Sequence, residues 1–225
     1  MLLAVQGRTR VAGKADSLSR HSLRGLKGAL VPGVPAGHSV DWYRMRPLFT
    51  VHAGEYLVGL HIEQHFRRTR VWVPSRDTGV DLLVSDQRHR RTVAVQVKYS
   101  KDFLPHMGAE FQRRLRARGW WTLDRDKLRG SVADLWVFVL PGFAAPTVDY
   151  LIIPPRELRR RLRAVHGQPR RLHIYLTVTE SERCFETRGV RRDDLRRIAM
   201  DEYGHRQRDF SPWLNEWAPI ARLNH

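Results

Sequence analysis

Three residues lie close enough in pattern to act together: Asp81, Gln96 and Lys98. Residues 92–98 read Thr-Val-Ala-Val-Gln-Val-Lys, and on a β-strand successive side chains alternate between faces. Gln96 and Lys98 therefore share a face with Thr92 and Ala94, while Val93, Val95 and Val97 take the other. Residues 79–84 form a partner strand entered through a Ser-Arg-Asp-Thr-Gly turn, and the polar turn 85–90 closes the pair into a hairpin. That hairpin carries the Asp81 carboxylate toward Gln96 and Lys98. The Asp81 carboxylate, the Gln96 side-chain oxygen and the Val97 carbonyl are hard oxygen donors of the kind Mg²⁺ or Mn²⁺ takes. An ammonium beside them offsets charge that develops on a phosphoryl group attacked by water. The implied chemistry is phosphodiester hydrolysis.

Lysine usage bears on Lys98 independently. Of forty basic residues only five are Lys, at positions 14, 27, 98, 101 and 127, so Arg fills most places that need a generic positive charge. An ammonium can lose its proton when desolvated and serve as a general base, which a guanidinium cannot.

Around these residues the pattern predicts the elements that must hold them. Apolar residues at Ala53, Tyr56, Leu57, Leu60 and Ile62 space an amphipathic helix over 50–66, left through Arg67-Arg68-Thr69-Arg70. A short strand at 71–73 stops at Pro74. Near-continuous apolar runs at 134–140 and 149–153, joined by a Pro-Gly loop, suit buried strands. Residues 155–166 predict a basic helix with Pro in its first turn and Glu157 well placed for the dipole. A further strand follows at 172–179, and from Val190 a basic helical tail is expected, with Trp213 and Trp217 one turn apart. The expected class is α/β: a central mixed sheet built from these strands, flanked by the first helix and the basic helix near 156–165.

The chain has 225 residues at 42% hydrophobic, enough for one core with an appendage. Residues 1–45 carry only two acids, Asp16 and Asp41, and no sustained period, so they read as a disordered basic arm ahead of a domain over 46–225. Three explanations of the arm stay open: a phosphate-binding tail, a targeting peptide, or upstream sequence ahead of a later start. A net charge of +17 makes a polyanion, first of all nucleic acid, the expected partner. The arginine clusters at 156–171 and 188–208 favour phosphate contact, so binding is expected to weaken by about 0.9 log unit per log unit of salt for each phosphate neutralised. The single cysteine, Cys184, excludes an intrachain disulfide and a multi-cysteine zinc site, and it fits a reducing, cytoplasmic setting as a buried structural thiol. No apolar run approaches the ~20 residues that span a bilayer, so no membrane partner is expected.

Gly54-Glu55, then 79–84 with Asp81, then Val95-Gln96-Val97-Lys98 followed by Ser100, resembles the core of the PD-(D/E)XK nuclease superfamily. It is most similar to the branch with Gln in place of the second acid, seen in Mrr-like restriction enzymes and group I intron-associated endonucleases. The resemblance covers roughly residues 50–185 and is tight over 54–101. It implies a restriction-endonuclease-like fold, with Asp81 as the metal-binding acid, Gln96 as the substituted acid, Lys98 as the motif lysine and Glu55 as the helix-borne acid near the metal. Two positions depart from the pattern. Val80 stands where the motif has Pro, and neutral Gln96 removes one negative charge, so weak or substrate-dependent metal binding is expected.

Each residue also has a purely structural reading. Asp81 can end a Gly turn, Lys98 can be a solvated strand end, and Glu55 can favour a helix N-terminus through its dipole. Ser100 and Lys101 can bind phosphate or merely form a polar strand exit. His61 and His65, one helical turn apart, can hold a metal, but the order His-Ile-Glu-Gln-His displaces the glutamate from the metalloprotease position. Trp120-Trp121 can stack on bases or pack as an anchor. The expectation is a Mg²⁺- or Mn²⁺-dependent DNA endonuclease, with a catalytically inactive nucleic-acid-binding module on the same fold as the alternative. Cutting both strands with one site per chain calls for two copies, hence a homodimer, although no interface stripe is visible.

Overall fold

The hairpin expected around Asp81 is present in a computed structural model of the chain, which describes residues 52–76, 78–100, 109–143 and 147–224. The expected arm, 1–45, and Lys101 lie outside the described residues. In chain order the first elements are α1 (Ala53–His65), β1 (Thr69–Trp72), β2 (Leu82–Asp86), β3 (Thr92–Tyr99), α2 (Ala109–Gln112) and β4 (Leu115–Asp124). They are followed by α3 (Arg125–Arg129), β5 (Leu135–Pro141), β6 (Val148–Ile153), α4 (Pro155–His166), β7 (Arg171–Thr179), β8 (Cys184–Glu186), α5 (Arg192–Ala199) and α6 (Ala218–Ala221). No helix among the described residues is long and apolar enough to cross a membrane.

The protein is mixed α/β, with a central mixed sheet of five strands in the order β1-β2-β3-β5-β6. β3 and β5 run parallel and the other pairs antiparallel. β5 explains its own apolar run, because both of its faces are buried. Leu135, Val137 and Val139 face α1, packing with Val58, Ile62, Val95 and Val97. Trp136, Phe138 and Leu140 face the opposite layer, where β7, α3 and α4 contribute Ile174, Leu176, Leu128, Leu158 and Leu162.

Three expectations are corrected. Residues 172–179 do not join the central sheet; β7 lies between β4 and β8 in a separate three-stranded antiparallel sheet. The tail is not one helix: α5 ends at Ala199, and Trp213 closes a 3-10 turn while Trp217 precedes α6, so the two indoles enter different cores. Asn215, between them, adopts φ 52° and donates its backbone N–H to Tyr150 O at 2.6 Å, which breaks the helical path. On α1 the buried stripe is Gly54, Glu55, Val58 and Ile62; of the expected apolar positions only Ile62 belongs to it, while Leu57 and Leu60 are half-buried and Ala53 and Tyr56 exposed. An acid within the buried stripe blurs the amphipathic pattern.

Candidate active site

β2 begins at Leu82, after a turn in which Gly79 takes φ 84°, a backbone region that costs glycine little. Asp81 sits at the mouth of the hairpin, its N–H donated to Val95 O at 2.8 Å. Leu82 pairs with Val95, so one step outward Asp81 stands across from Gln96 on the same sheet face. Gln96 Nε2 and the Val97 N–H both donate to Asp81 Oδ2, the latter at 2.7 Å. A strand residue sends its N–H and C=O toward the same edge, so the Val97 carbonyl looks toward the side on which β2 has ended.

Glu55 arrives from the other layer. A Cβ at Gly54 would stand 2.7 Å from Tyr99 Cβ and 3.2 Å from Val97 Cγ1. The absence of that carbon lets the first turn of α1 close onto the end of β3 and delivers Glu55, 4% exposed, beside it. Lys98 shares the Gln96 face, and its Nζ lies 5.1 Å from the centroid of the Trp136 ring, a cation–π distance. Trp136 is fixed in turn by donating its Nε1–H to Ser131 Oγ at 2.9 Å.

Glu55, Asp81, Gln96, Val97 and Lys98 all line one cleft of about 1030 Å³ at this end of the sheet. Asp81, like Glu55, is only 4% exposed. Two carboxylates, an amide, a backbone carbonyl and an ammonium thus share one space, and burial of the two acids keeps water from screening them as it would on an open surface.

No family model, curated protein or solved structure matches the chain.

The cleft also holds residues that the sequence reading did not single out: Thr122, Asp124, Lys127 and Ser131, from β4, α3 and the loop after it. Asp124 caps α3, accepting from the Asp126 and Lys127 N–H groups at 2.9 and 3.0 Å, and the Lys127 N–H is the main influence holding its carboxyl below the usual range. A signal for this wall exists in the strict alternation of Leu115, Ala117, Gly119, Trp121 and Leu123, ended by an Asp N-cap. Intervening arginines and the Trp pair obscure it. The pair splits across the strand, with Trp121 6% exposed in the core and Trp120 50% exposed on the other face.

The remaining candidates have structural partners. Ser100 accepts from the Trp120 N–H at 3.1 Å, tying β3 to β4. His61 and His65 stack on each other at 4.2 Å, and His61 also stacks on Trp217 at 4.6 Å. Burial, with a smaller push from His65, lowers the His61 pKa to about 4. Cys184 is buried among the apolar residues between the layers, and burial raises its thiol pKa, so it behaves as an inert core residue.

Proposed function

We propose that this chain is a metal-dependent DNA endonuclease with a restriction-endonuclease-like fold. The observation that carries the reading is the convergence of Glu55, Asp81, Gln96, Val97 and Lys98, drawn from α1, the β2 approach and β3, on one cleft. The net charge of +17 supports a polyanionic substrate.

The donor set suits a hard divalent cation. No group of three or more His, Cys, Asp and Glu able to hold a metal is found among the described residues, so the set is two carboxylates supplemented by neutral oxygens. That suits Mg²⁺, which keeps several waters and takes few protein carboxylates. Asp81 and Glu55 would hold the ion, directly or through water, with the Gln96 amide oxygen and the Val97 carbonyl completing the site. Gln96 now gives Asp81 its amide nitrogen, so presenting its oxygen requires the amide to turn over. A bound Mg²⁺ or Mn²⁺ supplies a nucleophile by lowering the pKa of a coordinated water and polarises the phosphoryl oxygen. Lys98, held near Trp136, orients or deprotonates the attacking water and offsets charge on the equatorial oxygens of an in-line displacement.

The same Gln96 contact favours a second reading, a nucleic-acid-binding module that does not cut. An amide that satisfies Asp81 internally leaves the acid stable without any metal.

Supercoiled plasmid incubated with the purified chain and Mg²⁺ or Mn²⁺ tests the choice, beside Asp81→Ala and Lys98→Ala variants shown to bind DNA. Metal-dependent nicking is expected, reduced at least about a hundredfold in each variant. DNA binding with no metal-dependent cleavage, unchanged by either substitution, would overturn the nuclease in favour of the module.

A further inference from the structure

α3 is a wall between two clefts. On one side Lys127 lines the candidate active site, and on the other Arg125 and Arg129 line a second cleft, of about 770 Å³, closed by the outer face of α4. The α4 residues there include Arg156, Arg159, Arg160 and Arg163, all exposed, and Glu157 is the one acid among the lining residues. The inward face of the same helix is Leu158, Arg161 and Leu162, so the outer arginines have no part in the core.

Some of these charges are partly engaged. Arg160 pairs with Glu157 at 2.6 Å, Arg125 and Arg129 approach Asp126 at 3.7 and 3.6 Å, and Arg125 donates to Gln168 O at 2.7 Å. The side chains of Arg156 and Arg159 have no hydrogen bond or ion pair among the described residues. Four like charges within eight residues of helix repel one another at i,i+3 and i,i+4 spacings, which opposes folding. Their concentration on one wall of an open cleft is therefore accounted for by an anionic ligand rather than by the fold.

We propose that this arginine-lined cleft is a second phosphate-backbone site, into which a DNA strand leaving the candidate active site passes over α3. The assignment of DNA as the ligand rests on the function proposed above; the anion site itself rests on the cleft. Arg156, Arg159, Arg160 and Arg163 span about 10 Å of helix at 1.5 Å per residue, enough to meet two or three successive phosphates of one strand. Because the site lies on one side of the catalytic cleft, the substrate must extend in one direction from the scissile bond.

The test is the affinity of the full chain for a labelled 30-base-pair duplex in EDTA, measured by fluorescence anisotropy across a salt series. Arg156→Gln/Arg159→Gln is compared with Arg196→Gln/Arg197→Gln, which removes the same charge from a helix whose arginines are paired with Asp193 and Asp194. The first variant is expected to bind roughly tenfold more weakly at moderate salt and to lower the salt slope by about 1.8, two phosphates' worth. The second should lower the slope by less than about 0.5, and Arg156→Lys/Arg159→Lys should retain the original slope. Equal losses in both Gln variants would reduce the effect to net charge and overturn the site. Unchanged affinity and slope in the first variant, with metal-dependent plasmid cleavage intact, would overturn the site and leave the nuclease standing. Loss of affinity in that variant, with no cleavage by the unsubstituted chain, would keep the anion site and overturn the nuclease. Failure of the unsubstituted chain to bind DNA would overturn both.

Discussion

Two arginine-rich stretches of this chain put that residue to opposite use. Along α4 the outer arginines meet a single carboxylate, that of Glu157, and open onto a cleft. Between Arg183 and Arg208 nearly every arginine that points inward finds a partner. Arg208 donates to the fully buried Glu186 at 2.7 Å and to the carbonyl of Arg188 at 2.9 Å. Arg188 caps His173 O at 3.1 Å, and Arg183 pairs with Asp209 at 3.3 Å. α4 repeats the contrast within one helix, since buried Arg161 donates to Arg206 O and Asp209 O at 2.7 and 2.6 Å and lies 4.4 Å from the Trp213 ring centroid. The supply of acids and carbonyls, not the density of arginine, decides whether a basic segment closes on the fold or stays available to a ligand.

The largest effect that sharpens this contrast lies at Glu186. Its carboxylate also lies 3.0 Å from His166 Nε2, without hydrogen-bond geometry, so α4, β8 and the C-terminal loop meet around one buried acid. Glu186→Gln leaves the Arg208 guanidinium without its buried counter-charge and is expected to cost about 3–5 kcal/mol, a fall in melting temperature of roughly 10 °C for a chain of this size. Thermal unfolding followed by circular dichroism measures it. A change below about 2 °C would mean that the C-terminal arginines are as dispensable to the fold as those on α4.

Part of this difference is readable along the chain and part is not. Asp193 and Asp194 stand three residues before Arg196 and Arg197, an i,i+3 spacing that marks a self-paired helix face without any structure. Glu186 and Arg208 are twenty-two positions apart, and only the packing of β8 against the returning tail joins them. The candidate site follows the same division. Asp81, Gln96 and Lys98 were legible because a hairpin imposes a period of two and a register, both local. The opposite wall was not, because β4 pairs with β7 about fifty residues away and buries Arg118 in a strand whose charges look solvated. Glu55 lay between: its place at the helix start was visible, but its burial depends on Gly54 meeting Tyr99.

The histidines of α1 extend the comparison to a pH-dependent charge. His61 stacks on His65 and Trp217 and lies 5.0 Å from the Tyr150 ring, a packing that favours the neutral imidazole. Its pKa falls from 6.5 to about 4 on folding, so the unfolded chain binds the extra proton across that window. Stability from this group is full above pH 6.5 and is lost as the pH falls toward 4. The shift corresponds to at most about 3 kcal/mol, and on the order of 1–2 kcal/mol once partial exposure of the ring is allowed for. Urea unfolding at pH 7, 5.5 and 4 should therefore show a decline that His61→Phe flattens. Equal declines in both proteins would show that the burial of a neutral His61 does not couple folding to pH.

The smallest effect is the most discriminating one. Arg156→Gln/Arg159→Gln deletes two exposed side chains without hydrogen-bond or ion-pair partners among the described residues, so stability should stay within about 0.5 kcal/mol of the parent. Its sign should be toward greater stability, because Arg156 is i,i+4 from Arg160, and Arg159 is i,i+4 from Arg163, and like charges at that spacing repel by a few tenths of a kcal/mol. Salt screens that repulsion, so the gain should shrink as ionic strength rises past the point where the Debye length falls below about 5 Å. A melting temperature equal to or slightly above the parent's at low salt, converging at high salt, is what a helix face held open for a polyanion requires. A loss of 5 °C or more would place these arginines with Arg161 and Arg208, as parts of the fold, and the two regions would no longer differ.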